Sequence, residues 1–139
     1  MTDMRAPIST DDRKMIDEWL AWVAGHTDPA AEMDSHDAIM DHLSGLVQQD
    51  FIEEYGREEL FALGVAWGEA LRLKNDEWMW VSVPAEGGTT LGLDLSGDPK
   101  VDPAKTLVTP GHSWAKRKGM KAALDPHAME RQLMAEVAA

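Results

Sequence analysis

The chain has 139 residues, 25 acidic and 13 basic side chains, a formal net charge of −12, and no cysteine. A chain of this size buries roughly two-thirds of its unfolded surface, enough for one domain over residues 1–139 without a stabilising metal; the lack of cysteine excludes disulfide frameworks, thiolate catalysis and cysteine zinc sites. No apolar run approaches the roughly 20 residues of a membrane span, and so negative a balance argues against nucleic acid, whose binders need a broad cationic footprint.

Met1 to Pro7 holds no apolar stretch that could serve as a signal peptide, so a cytoplasmic protein is expected. Ser9 or Thr10 then offers an N-cap, and Asp11 and Asp12 suit the positive end of a helix dipole. Met15, Ile16, Trp19, Leu20, Trp22 and Val23 recur at helical spacing until Gly25. A second helix is expected from near Asp34 or Ser35, with Ile39, Leu43, Leu46 and Val47 as its buried stripe. A third follows Gly56 over about 57–74, because Leu60, Leu63, Gly64, Trp67 and Leu71 fall on one face. Gly64 and Gly68 make a flat strip on that helix where another backbone can approach closely. Glu69 beside them reads as a surface acid.

The period changes after residue 76. Residues 77–84 are rich in aromatic and β-branched side chains and predict a strand. Ala85-Glu86-Gly87-Gly88 suits a hairpin loop, and Leu91, Leu93 and Leu95 alternate with polar or small residues in a second strand over 89–96. Residues 105–109 could add a third. Pro110 fits the first turn of a helix running to about Leu124, and Asp125-Pro126 opens a last helix carrying Met129, Leu133 and Val137. The expected fold is α+β, with a helical part (1–56) followed by a helix-hairpin-strand-helix part (57–139). Its central helix packs on a small antiparallel sheet of two to three strands, with helices at both ends of the chain.

Charge is unevenly placed: residues 1–60 carry 15 acids against 4 bases, a balance of −11, and the rest 10 against 9, a balance of −1. Such a surface either promotes solubility or steers the chain toward a basic partner. For the second case the candidate contact residues are Asp34, Asp37, Asp41, Glu53, Glu54, Glu58 and Glu59. An exposed tryptophan would serve as anchor, and Trp80 is the candidate, since a strand cannot easily bury Trp78 and Trp80 together with Met79, Val81 and Val83.

Two constellations invite a chemical reading. Gly111-His112-Ser113-Trp114-Ala115 is close to the G-x-S-x-G nucleophile elbow. That motif belongs to a large parallel sheet for which this chain has no room, and Asp125 and His127 lie close in sequence for a triad. A helix start capped by Thr109 or Ser113 explains the same residues. His26, His36 and His42 with Asp34, Asp37 and Asp41 form an acid–histidine cluster. The six-residue spacing of His36 and His42 puts them on different helical faces, unlike a usual ligand pair. Neither a metal nor another cofactor is expected.

Leu63-Gly64-Val65-Ala66-Trp67-Gly68-Glu69-Ala70-Leu71, with Trp78, Thr109-Pro110 and Lys116-Arg117-Lys118-Gly119, resembles a bacterial family known as domain of unknown function 3806. The likeness covers about 60–133. It implies a fold type and a bacterial source but no activity, and it carries over no catalytic residue.

The functional expectation is a non-catalytic, acidic protein-binding domain, in its most specific form an immunity protein that neutralises a basic bacterial toxin. The alternatives are a housekeeping domain whose charge only keeps it soluble, and a small serine hydrolase using Ser113 with His112 or His127. The oligomeric state is left open.

Overall fold

The computed structural model describes residues 5–139. The described chain runs β1 (Ala6–Pro7), α1 (Thr10–Ala24), α2 (His36–Leu46), a 3-10 turn (Asp50–Glu54), α3 (Arg57–Lys74), β2 (Met79–Ala85), β3 (Gly88–Asp94), β4 (Leu107–Val108), α4 (Pro110–Ala115), a second 3-10 turn (Lys121–Ala123) and α5 (Pro126–Val137). The class is α+β. Its antiparallel sheet has four strands in the order β1-β2-β3-β4, rather than two to three.

Local chemistry sets the helix starts. Ser9 accepts the Asp12 N–H while Asp12 accepts the Ser9 N–H, a capping box that opens α1. Ser35 accepts from the Ala38 N–H at α2, and Asp125 from the His127 and Ala128 N–H groups at α5. At α3 Glu59 Oε1 accepts the Gly56 N–H at 3.2 Å.

The third helix is the spine of the molecule. Every residue from Ala62 to Leu71 is buried, as expected of a helix that other elements surround. α1, α2 and α4 all pack on it. The glycine strip is what lets α4 approach. A Cβ on Gly64 would lie 2.5 Å from the Pro110 carbonyl oxygen and 2.9 Å from Trp114 Cβ; one on Gly68 would lie 2.6 Å from Trp80 Cη2 and 2.8 Å from Pro110 Cγ. One contiguous apolar cluster extends in sequence from Ile16 to Val137 and includes Trp67, Trp78, Trp80 and Trp114.

Four expectations need correction. Trp78 precedes the strand, its N–H bonded to the Asn75 carbonyl at 2.9 Å, and β2 begins at Met79. Helix α4 stops at Ala115 instead of reaching Leu124, and Gly119 at φ +78° turns the chain before the short 3-10 segment. Glu69 is 4% exposed, an interior acid and not a surface one. Trp80 is 5% exposed, because the sheet face it occupies lies against Gly68 of α3, so it offers no exposed anchor.

Candidate functional site

A helix on the outside of a core needs one apolar stripe, and α1 has two. Ile16, Leu20 and Val23 are buried and fill the core side. Met15, Trp19 and Trp22 form a second stripe at i, i+4 and i+7, of which Met15 remains 46% exposed and Trp22 42%. Trp19 is half-buried and meets Phe61 of α3 edge-on, with ring centroids 5.3 Å apart. Trp22 packs edge-on against His26 at 4.5 Å and lies 6.0 Å from Tyr55. The molecule therefore presents a band of aromatic rings at its surface along the α1–α3 seam.

Three depressions along this band share Trp19. One of about 190 Å³ lies toward the hairpin, among Asp12, Met15, Phe61, Ser82 and Thr90. A second, of about 420 Å³, is formed with Arg57, Glu58, Phe61, His112 and Ala115. The third is an open, mainly apolar notch of about 290 Å³ bounded by Trp19, Trp22, Glu58, Glu59 and Ala62, with no basic side chain in its lining.

The acids expected to bind a partner divide between this band and elsewhere. Glu58 is exposed at the notch; Glu59 lines it half-buried while also capping α3. Glu53 and Glu54 are exposed on the turn just before Tyr55, whose phenol is raised above its ordinary value by burial and then by the charge of Glu59. Asp34, Asp37 and Asp41 are exposed but are absent from the lining of all three depressions. Asp37 accepts from His36 Nδ1 at 2.9 Å, and that hydrogen bond holds its carboxyl below the ordinary range.

The three histidines of the acid–histidine cluster go separate ways. His26 Nε2 lies 2.6 Å from the Tyr55 hydroxyl, His36 Nε2 2.9 Å from Glu130 Oε1, and His42 Nε2 2.7 Å from the Val23 carbonyl. Among the described residues, no group of three or more histidines and carboxylates could hold a metal ion. The elbow-like motif is likewise dispersed. His112 Nε2 is 3.0 Å from the Thr90 hydroxyl and its ring packs on Phe61. Ser113 instead lines a small depression with Lys116, Arg117, Gln132 and Glu136, which neither His112 nor His127 joins. Asp125 is committed to capping α5. Thr109 makes no side-chain cap at α4.

Trp22, 42% exposed, was not singled out from the sequence. Its signal was present: an apolar face on α1 wider than one stripe. Compared with known proteins, the chain matches no family model, no curated protein and no solved structure. Among the described residues no helix is long and apolar enough to cross a membrane.

Proposed function

We propose that this chain is a non-catalytic, cytoplasmic protein-binding domain whose partner is basic. The observation that carries the reading is the position of exposed Trp22 beside Glu58 and Glu59, with Glu53 and Glu54 just before the neighbouring Tyr55. Interfaces concentrate their affinity in aromatic anchors, and surrounding charge raises the encounter rate with an oppositely charged protein. Of the acids singled out from the sequence, Glu53, Glu54, Glu58 and Glu59 belong to this surface; Asp34, Asp37 and Asp41 contribute only long-range field. The most specific form of the proposal is an immunity protein that covers the cleft of a basic toxin. The resemblance to domain of unknown function 3806 is proposed alongside, as a fold relationship without an activity.

The test is capture from the native cell at low and high salt, followed by identification and purification of the captured protein. The expected partner is basic and is lost at high salt. Its binding weakens when Glu53, Glu54 and Glu58 are together replaced by lysine, and a toxin-like reading frame adjoins the gene. No specific partner at either salt overturns the proposal.

A further inference from the structure

We infer that the notch between α1 and α3 is a recognition site for one arginine side chain of the basic partner, an inference that deepens the protein-binding reading and rests on it. Trp19 and Trp22 on α1 and Ala62 on α3 give it a mainly apolar lining, which the acidic residues Glu58 and Glu59 complete. An indole face attracts a cation within about 6 Å of its centroid, and a carboxylate takes a guanidinium through two parallel N–H···O bonds. Arginine satisfies both because its charge is planar, weakly hydrated and forked, whereas the lysine ammonium is a compact, strongly hydrated point.

The residues already in place fit this division of labour. Glu59 Oε1 is engaged by the Gly56 N–H at 3.2 Å, which fixes that carboxylate at the start of α3. Among the described residues Glu58 has no ion pair within the chain. Arg57, the nearest cation in sequence, lines the adjoining depression rather than the notch. The volume of about 290 Å³ is enough to admit one side chain. A second copy of this chain is a poor occupant, since each copy carries a net charge of −12 and like charge opposes association.

The experiment follows the indole N–H signals of the full-length chain by NMR, assigned through tryptophan-to-phenylalanine variants, at low salt. Three probes are titrated: N-acetyl-arginine amide, its neutral citrulline counterpart, and poly-arginine. Arginine amide is expected to shift the Trp19 and Trp22 signals saturably and citrulline amide to leave them in place. Glu58→Gln, at an exposed position, is expected to weaken arginine amide by about fivefold or more. Trp22→Ala is expected to abolish the response, with circular dichroism confirming an intact fold. If arginine amide moves neither signal, or citrulline amide moves them equally, the notch assignment is overturned. Salt-sensitive binding of poly-arginine in that event leaves the acidic-surface reading standing, and its absence removes both. If the two signals move with protein concentration alone, the occupant is a second copy and the assignment is overturned.

Discussion

The indole N–H of Trp80 donates to Glu69 Oε1 at 3.0 Å, tying the sheet to the central helix through an interior carboxylate. Arg72 reaches the same carboxylate through Nε at 2.7 Å and Nη2 at 3.1 Å, and Arg13 of α1 through Nη2 at 3.1 Å. Sheet, α1 and α3 thus converge on one acid.

Acid sensitivity follows from that convergence. Burial alone would raise the Glu69 carboxyl, but hydrogen bonds from Arg72, Arg13 and Trp80 and the charge of Arg72 outweigh it and lower the pKa from 4.5 to about 2. A carboxyl whose pKa is lower in the folded chain contributes fully above the unfolded value of 4.5, and its contribution fades as pH falls from 4.5 toward about 2. The difference corresponds to a contribution on the order of 3 kcal/mol at neutral pH. Glu69→Gln is expected to cost about 2 kcal/mol, below the ~3–5 kcal/mol of a fully buried broken pair because both arginines partly reach solvent. Urea unfolding between pH 2 and 7 measures this, and an acid limb as steep in the variant as in the parent contradicts it.

The α3–α4 contact is close enough to test with single methyl groups. Gly64→Ala and Gly68→Ala are each expected to destabilise the chain by about 1–3 kcal/mol. Gly64 is the worse site, because its new Cβ meets the backbone at Pro110 and Gly111. Gly45→Ala supplies the control, since nothing lies within 4 Å of a Cβ there. Helix preference should stabilise that variant by up to about 1 kcal/mol. Melting temperatures that fall equally at all three positions would refute the contact argument.

Where the sequence was legible, a single periodicity was coupled to a single burial pattern. The stripe of Leu60, Leu63, Trp67 and Leu71 names the face of α3 around which the core is built, and the alternation of Leu91, Leu93 and Leu95 names the inward side of the hairpin. β1 was not legible. Ala6 and Pro7 have no pattern of their own and become a strand only by pairing with Ser82 and Val81, beside an Arg5–Asp94 ion pair of 2.7 Å. Glu69 misled for a related reason: a lone acid reads as solvent-facing until its partners, one of them 56 residues away at Arg13, come together in space. The run from Ala62 to Ala70 with one charge was the available warning. Trp22 shows the opposite limit, because helical spacing assigns a face without saying how much of that face the core covers.

The His36–Glu130 contact is the polar link between α2 and α5. Glu130 is buried and lies 2.9 and 3.1 Å from His36 Nε2 and 3.4 Å from Lys74 Nζ. A double-mutant cycle with His36→Ala and Glu130→Ala is expected to give a coupling of about 1 kcal/mol or more, since residues that share a hydrogen bond do not contribute additively. Additive losses would show that apolar packing alone holds the two helices together.

Two neighbouring core tryptophans make the last comparison. Trp67 and Trp114 lie 6.4 Å apart by ring centroid and are both buried, so truncating either to phenylalanine removes similar apolar volume from the same region. Their N–H groups differ. Trp67 Nε1 donates to the Pro126 carbonyl at 3.1 Å, whereas Trp114 Nε1 is buried with no partner among the described residues. Trp67→Phe deletes a buried hydrogen bond to a carbonyl that keeps its place in the α5 ladder. Trp114→Phe deletes a donor that bonds to none of the described residues. The lost hydrogen bond is worth about 0.5–1.5 kcal/mol net, so Trp67→Phe should be the more destabilising by about that amount. Urea midpoints of the two variants decide the matter, and equal losses would mean that cavity formation, not hydrogen bonding, dominates at both positions.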